Sequence, residues 1–361
     1  MVERVVLHIG TMKSGTTYLQ RVLDTGVVES VGGFFAGGSF RTQARAVDSL
    51  FRKQLRQAPK PWTSLADRTQ RRDGVAVYSH EFLSFVSQER VGWVVDAFGG
   101  TPVDVVLTVR DQRTAIPAQW QSYVRNRGTD PWETYLQRLE RVHAGKTRRK
   151  DRRARAVRGF RRSQGVPGMV ARWAAHPGVS SVSVVLVPLP GSPPQLLWQR
   201  FCDAAGLPAS DAPETVSRQN ESLGYASCEL LRRLNPLLAD LSLIQYERGR
   251  RAPIQALLPL RAEEQRPVLD GSGDLLASDL NRAVLDAVAE HGARLVGDAD
   301  ELPVTGQTGL PASVPVPDPD ELRRAAETVW ASCMPGIARP AGDLDVLVAE
   351  LGRRLAVRFG P

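Results

Sequence analysis

The sequence lacks the residue patterns of metal proteins and disulfide-bonded proteins. Its three cysteines, Cys202, Cys228 and Cys333, lie far apart and form no Cys-x-x-Cys pair, which argues against a structural zinc site and a disulfide framework. The five histidines show no i, i+4 pairing, the spacing that metal ligands adopt on a helix. We therefore expect no metal centre, and we interpret the cysteines as small buried apolar side chains.

Long apolar runs are also missing. No stretch reaches the roughly 20 apolar residues that span a bilayer, and the first residues form a strand pattern without the basic and apolar regions of a secretory leader. The hydrophobic content of 42% is normal for a globular protein. We expect a cytoplasmic protein without a transmembrane segment, whose 361 residues suffice for one large α/β domain with additions.

Positive charge is concentrated in one segment. Residues 146–162 contain ten Lys or Arg and one Asp, whereas the net charge of the whole chain is +8. Such a run is a solvated helix, loop or lid, a nucleic-acid patch, or a mouth that attracts an anionic donor or acceptor. Because Phe160 is its one aromatic residue, the run offers no platform for stacking bases, and nucleic acid is the least favoured partner.

Short apolar runs alternate with helical patterns along the chain. Strands are predicted at residues 5–9, 75–78, 103–109 and 181–187. A helix is predicted over residues 41–58, with Pro59 and Pro61 ending it. This alternation predicts a three-layer α/β/α fold with a central parallel sheet. We expect an α/β domain, a Pro- and Gly-rich linker, and a C-terminal helical extension that offers a surface for oligomerisation. These are assigned to residues 1–302, 303–319 and 320–361.

The first predicted strand is followed by a loop suited to an anion. The loop runs from Gly10 to Thr17 with the sequence GTMKSGTT, directly before a helical pattern. Backbone N–H groups of a glycine-bearing loop, a helix N-terminus and Lys13 together form a cradle for phosphate or sulfate. A Walker A loop has its lysine at the position where Thr16 stands here, so this loop is not of that type.

Two further strands end in polar residues. His80 and Glu81 follow the strand at 75–78, and Arg110 follows the strand at 103–109. Ligands of open parallel sheets bind beyond the carboxyl ends of the strands, so these groups are candidate site residues. Glu81 and His80 are alternatives as general base, because adjacent strand residues point to opposite faces. The guanidinium of Arg110 suits a phosphate.

These motifs resemble those of one enzyme family. The sequence KSGTT after a strand resembles the 5′-phosphosulfate loop of sulfotransferases that use 3′-phosphoadenosine 5′-phosphosulfate (PAPS), and the run SHEFL at 79–83 resembles the S-x-E-F-L run of bacterial members. Further segments resemble an actinobacterial branch of the family, so that the likeness covers roughly residues 1–300. They are VLVP at 185–188, LWQRF at 197–201, NESLG at 220–224 and LLRRLN at 230–235.

The resemblance implies a fold related to P-loop NTPases and a set of site residues. It implies that Lys13, Ser14, Gly15, Thr16 and Thr17 hold the 5′-phosphosulfate. Arg110 would bind the 3′-phosphate together with a serine eight residues later. Ala118 stands at that position in this sequence, and Ser122, one helical turn further on, is the expected substitute. Lys13 and either Glu81 or His80 would act in catalysis, adenosine 3′,5′-bisphosphate would be the product, and no metal would be needed.

Two other classes of function stay open at this stage. One is a nucleotide-dependent kinase, and the other is a noncatalytic polyanion or nucleic-acid binder that uses residues 146–162. The acceptor of a sulfotransferase could be a small phenol, a glycan or a lipid-like metabolite. Several aromatic residues either line its cleft or pack in the core; they are Phe34, Phe35, Phe40 and Trp62.

Overall fold

A six-stranded parallel sheet organises the protein. A computed structural model describes residues 1–146, 149–208, 210–214, 216 and 222–360. The strands are β1 Val2–His8, β2 Gly33–Phe35, β3 Gly74–Ser79, β4 Val103–Val109, β5 Val179–Leu186 and β6 Arg294–Val296. They are ordered β2-β3-β1-β4-β5-β6, and every neighbouring pair is parallel.

Helices connect the strands and follow the sheet. The first eight are α1 Thr16–Asp24, α2 Phe40–Ser49, α3 Lys60–Gln70, α4 Gln88–Asp96, α5 Gln112–Arg125, α6 Trp132–His143, α7 Arg149–Arg153 and α8 Arg155–Gln164. The others are α9 Val166–Ala174, α10 Leu196–Ala204, α11 Tyr225–Leu237, α12 Leu243–Gly249, α13 Arg251–Leu257, α14 Gly271–Glu290, α15 Pro319–Cys333 and α16 Leu344–Phe359. Of the helices in the described ranges, none is long and apolar enough to cross a membrane.

Both faces of the sheet are covered by helices. Strand side chains alternate between the faces, so Val5 belongs to one apolar cluster and Val6 to the other. Trp173 of α9 is buried in the cluster of Val5, whereas Leu19 of α1 and Trp198 of α10 are buried in the cluster of Val6. The predicted three-layer α/β/α fold with a central parallel sheet is therefore confirmed.

Strand β1 lies between β3 and β4, which come later in the chain. The strand order changes direction around β1, and ligands of open parallel sheets bind beyond the carboxyl ends of the strands at such a point. His8 at the end of β1 pairs with Ser79 of β3 and with Val106 of β4. The loop after β1 therefore lies at the position where this architecture binds ligands.

Several elements differ from the sequence expectations. The helix expected to end before Pro59 already ends at Ser49, and Pro61 lies in the first turn of α3, where a proline costs no backbone hydrogen bond. Strands β2 and β6 were not predicted, since three residues each are too short to show a pattern. For the basic run 146–162, where a helix was one of the alternatives, the described residues contribute to helices α7 and α8.

The chain divides into two compact units. The first consists of Met1–Ala115, Phe160–Gln219 and Ala277–Thr305, and it contains the whole sheet. The second consists of Ile116–Gly159, Asn220–Leu276 and Gly306–Pro361. It is helical in the described residues and buries an aromatic cluster of Trp120, Trp132, Tyr135 and Tyr225. In the division expected from the sequence, by contrast, the helices at 116–159 and 220–276 belong to the same domain as the sheet.

Candidate active site

The loop after β1 runs along the end of β4. The N–H of Ile9 donates to the carbonyl of Val106 at 2.9 Å, and the N–H of Thr11 donates to the carbonyl of Thr108 at 2.8 Å. Between them, a Cβ atom on Gly10 would lie 2.3 Å from Oγ1 of Thr108 and 2.5 Å from a methyl carbon of Thr16. The loop therefore approaches β4 so closely that only glycine fits at this position.

The backbone of the loop has an unusual conformation before α1 and leaves several N–H groups without a protein acceptor. Lys13 has φ +68° and Gly15 has φ +79°, and such a positive φ is unfavourable for a residue with a side chain. In the described part of the chain, no protein acceptor bonds the backbone N–H groups of Ser14, Gly15, Thr16 and Thr17. The side chains of Lys13 and Thr17 are exposed. Donors at a helix start beside a lysine fit a phosphate or sulfate.

A chain of side-chain hydrogen bonds crosses the sheet and ends in this loop. Ser79 Oγ lies 2.7 Å from Nδ1 of His8, and Nε2 of His8 lies 3.1 Å from Oγ1 of Thr108. Oγ1 of Thr108 lies 2.8 Å from Oγ of Ser14, which donates to the carbonyl of Thr11 at 2.6 Å. These hydrogen bonds therefore link β3, β1 and β4 to the loop at residues 10–17, which we call the anion loop.

The donor of each hydrogen bond in this series can be assigned, starting from the bond between Ser14 and Thr11. A carbonyl has no hydrogen, so the single hydrogen of the Ser14 hydroxyl goes to Thr11. Thr108 must then donate to Ser14, and His8 must donate from Nε2 to Thr108. The hydroxyl of Ser79 in turn donates to Nδ1 of His8. Burial lowers the pKa of His8 to about 3, so the ring is neutral and carries its hydrogen on Nε2.

Glu81 is held beside the loop by α1. Nε2 of Gln20 donates to Oε2 of Glu81 at 2.9 Å, and it also lies 3.5 Å from the carbonyl of Ser79. Glu81 is half-buried. Among the described residues, no protein donor bonds its other oxygen, Oε1. Gln20 lies one turn after Thr16 on α1, so the loop and the carboxylate share one support.

His80 has a different environment from Glu81. Nδ1 of His80 accepts from the N–H of Phe82 at 3.1 Å, and the ring stacks on Phe40 with centroids 5.4 Å apart. His80 is 5% exposed, and burial lowers its pKa, against the opposing charges of Glu81 and Asp48. His80 thus caps the short 3₁₀ helix at Glu81–Phe85, a structural position.

Arg110 follows β4 at a junction that is fixed by amide side chains. Arg110 is half-buried, and its carbonyl accepts from Nε2 of Gln112 at 3.3 Å. The same Nε2 lies 3.2 Å from Oε1 of Gln164, whose Nε2 donates to the carbonyl of Met12 at 2.8 Å. Asn281 of α14 adds bonds of 2.7 Å to the carboxylate of Asp111 and 3.0 Å from the N–H of Gln112. The strand end with Arg110 is thereby joined to the loop.

The structure brings most of the predicted site residues to one edge of the sheet. The loop residues 13–17, His80, Glu81 and Arg110 all lie at the carboxyl ends of β1, β3 and β4 in the first unit. Ser122 lies on α5 in the second unit, so the site as described does not include it. Asn220 and Glu221 lie outside the described residues. Of the aromatic candidates, Phe34 and Trp62 pack in the core and Phe40 stacks on His80.

Several residues of the site were not found from the sequence. Gln20, Thr108, Gln112, Gln164 and Asn281 support the loop, Glu81 and the end of β4. Helical spacing from Thr16 could have indicated Gln20. The other contacts join residues from separate parts of the chain, and no local pattern reports them. In the described ranges, no group of three or more His, Cys, Asp or Glu residues could hold a metal ion.

The candidate site is thus a glycine-bearing loop with a lysine, flanked by a carboxylate and an arginine on a parallel α/β sheet. No protein-family profile and no curated protein matches the chain. Among solved structures, the crystal structure of a sulfotransferase from Alicyclobacillus acidocaldarius is similar to it at 17% identity and a TM-score of 0.38, over 60% of this chain and 85% of that chain. A similarity of this size does not assign an activity, so the functional argument depends on the geometry of the site.

Proposed function

We propose that the protein is a sulfotransferase that transfers the sulfuryl group of PAPS to a hydroxyl or amine. The observation that carries this proposal is the loop at residues 13–17, in which the backbone N–H groups of residues 14–17 have no acceptor among the described residues and follow Lys13 directly. A Walker A lysine is absent from it, since Thr16 stands at that position. Glu81 and Arg110 flank the loop at the ends of the two neighbouring strands. When bound, PAPS supplies a sulfuryl group activated by its bond to the 5′-phosphate.

The loop would stabilise negative charge during transfer. The N–H groups of residues 14–17 donate to anionic oxygens, the start of α1 adds partial positive charge, and Lys13 adds a full charge. The buried bond from Thr108 to Ser14 holds the loop in position. In this scheme the protein itself supplies the charge compensation, so a metal ion is not required.

Glu81 is the proposed general base, with His80 as the alternative. Gln20 occupies one oxygen of Glu81 and orients the carboxylate, and the other oxygen takes the proton of the acceptor hydroxyl or amine. His80 is less suited, because its Nδ1 is engaged in capping and burial lowers its pKa. Arg110 would bind the 3′-phosphate.

Calorimetry with adenosine 3′,5′-bisphosphate tests the proposal. We expect the wild-type protein to bind this nucleotide without Mg²⁺, and Lys13→Ala to weaken binding about 10- to 100-fold, the loss expected for one charge-assisted contact. Lys53→Ala is the matched control, since Lys53 is also an exposed lysine but lies outside the site. Binding of ATP only with Mg²⁺ would instead support the kinase, and binding of neither nucleotide would support the polyanion binder.

Other expectations about partners and location stay predictions. A small-molecule, glycan or lipid-like acceptor is proposed on the sulfotransferase assignment alone. The cytoplasmic location and an oligomer formed through the C-terminal helices were expected from the sequence. Size-exclusion chromatography with light scattering would test the oligomer.

A further inference from the structure

A second basic site lies next to the candidate active site in the first unit. A cavity of about 260 Å³ is lined by residues of the 3₁₀ helix at 81–85, the segment that follows it, α8 and α9. Its walls include Phe85, Arg161, Arg162, Met169 and Arg172. We call it the arginine pocket. It contains three guanidinium groups and no acidic side chain, so its charge is strongly positive.

The three arginines of the pocket have no carboxylate partner in the described part of the chain. Nη2 of Arg172 donates to the carbonyl of Ser84 at 2.9 Å, but its Nε is buried without any hydrogen-bond partner. Burial also lowers the pKa of Arg172. No carboxylate of the described residues offsets the charge of Arg172 at the wall of the pocket. Arg172 therefore adds to the positive potential that an anion in the pocket would meet.

Aromatic rings hold a second guanidinium at the pocket. Arg162 lies over the ring of Phe85 with 4.7 Å to the centroid, and over the ring of Phe51 with 5.6 Å. A cation–π contact uses the face of the guanidinium and leaves its N–H edges free to donate to an anion. Most exposed arginines have many side-chain conformations, whereas these contacts restrict Arg162.

Both walls of the pocket lead directly to the candidate active site. The 3₁₀ helix that ends at Phe85 begins at Glu81, the proposed base. On the other wall, α8 ends in Ser163 and Gln164, which bond the N–H and the carbonyl of Met12 in the anion loop. Through these two walls the pocket is connected to Glu81 and to the loop that contains Lys13.

We propose that the arginine pocket binds an anionic group of the acceptor, a carboxylate, sulfate or phosphate, while a hydroxyl or amine of the same molecule reaches Glu81. This inference rests on the proposed sulfotransferase function. The volume is below the 300 to 1,000 Å³ that is typical of whole ligand sites, roughly the space for one charged group and part of a ring. The acceptor class is therefore an anionic hydroxy or amino compound, of which acidic sugars and hydroxylated carboxylic acids are examples, and not a neutral phenol or neutral lipid.

Calorimetric titration with inorganic sulfate tests the pocket itself. The full-length Lys13→Ala protein is used so that the anion loop contributes less to binding. We expect Arg162→Gln and Arg172→Gln, each added to it, to weaken sulfate binding about tenfold. Arg158→Gln is the matched control, because Arg158 is an exposed arginine of the same helix that does not line the pocket. Equal sulfate affinity in all of these proteins would overturn the proposal.

Two further measurements keep the test decisive. If the arginine variants fail to fold, an anomalous diffraction map of wild-type crystals soaked in selenate is used, and absence of a peak in the pocket would overturn the proposal.

The acceptor class is tested on protein saturated with adenosine 3′,5′-bisphosphate. Two pairs of compounds are titrated, glucuronate with glucose as its neutral partner, and 4-hydroxyphenylacetate with 4-hydroxyphenylethanol as its neutral partner. We expect glucuronate, 4-hydroxyphenylacetate or both to bind more tightly than the neutral partner. The anion with the higher affinity then indicates whether the acceptor is an acidic sugar or an aromatic acid. Equal binding within both pairs would overturn the assignment.

The outcomes separate this inference from the proposed function. Binding of adenosine 3′,5′-bisphosphate depends on the loop with Lys13, whereas sulfate binding in the Lys13→Ala protein depends on Arg162 and Arg172. If the nucleotide binds and sulfate does not discriminate the variants, the inference fails and the proposed function stands. If the nucleotide does not bind, the proposed function fails whatever the pocket does.

Discussion

Removal of one buried hydroxyl tests the hydrogen-bond chain that supports the anion loop. Thr108→Val keeps the shape of the side chain but removes Oγ1, which accepts from His8 and donates to Ser14. Ser14 keeps its bond to Thr11. His8, however, is fully buried, and its Nε2–H is left without an acceptor. An unsatisfied buried donor costs about 1–3 kcal/mol, so we expect the free energy of unfolding to fall by about 2 kcal/mol.

Urea unfolding of Thr108→Val, followed by circular dichroism, measures this loss as a lower midpoint at an unchanged slope. Thr63→Val is the matched control, because the hydroxyl of Thr63 donates to the carbonyl of Lys60 at an exposed site. We expect the control to change stability by less than about 0.5 kcal/mol. A wild-type urea midpoint for Thr108→Val would refute the assigned hydrogen bonds from His8 to Thr108 and from Thr108 to Ser14. A loss in Thr63→Val of equal size would show that the effect is not specific to the buried hydroxyl.

Three further predictions concern the loop, the base and acid stability. Gly15→Ala should weaken binding of adenosine 3′,5′-bisphosphate and lower the melting temperature, because φ is +79° there and a Cβ would lie 2.5 Å from a methyl carbon of Leu197. Calorimetry and scanning fluorimetry measure both, and wild-type affinity would contradict the loop geometry. Glu81→Gln should keep nucleotide affinity but lower kcat about 10²- to 10⁴-fold, and a near-normal kcat would exclude Glu81 as the base. His8 has a pKa of about 3 in the folded protein and 6.5 as its ordinary value. Between these pH values only the unfolded chain binds a proton on His8. The contribution of His8 to the free energy of unfolding is therefore present above pH 6.5, and it is lost on acidification at about 1.4 kcal/mol per pH unit. Urea midpoints across this range should fall less steeply in His8→Gln, and an equal fall would contradict the assignment.

The sequence predicted the central strands and the fold class because these depend on local patterns. Strands β1 and β4 contain the short apolar runs 5–7 and 105–107, which are buried on both faces of the sheet, as is typical of parallel sheets. Strands β2 and β6 have three residues each, and tertiary pairing rather than local preference makes them strands. Helix α3 was missed because Pro61 was interpreted as a helix end, although a proline in the first turn is equally compatible with a helix start.

The candidate site was predictable where its chemistry lies at strand ends. Lys13, Glu81 and Arg110 each follow a strand, so the sheet topology alone brings them to one edge. The supporting residues were not predictable in this way. Thr108 bonds a serine 94 positions away and Asn281 bonds an aspartate 170 positions away, and a buried polar residue shows no periodic signal for such a partner.

The central claim is that the loop after β1 holds the 5′ end of a sulfuryl-donor nucleotide. A crystal structure with bound adenosine 3′,5′-bisphosphate tests it most directly. We expect the 5′-phosphate on the N–H groups of residues 14–17 beside Lys13, with the 3′-phosphate at Arg110. A nucleotide bound elsewhere, or one whose 5′-phosphate makes no contact with this loop, would contradict it.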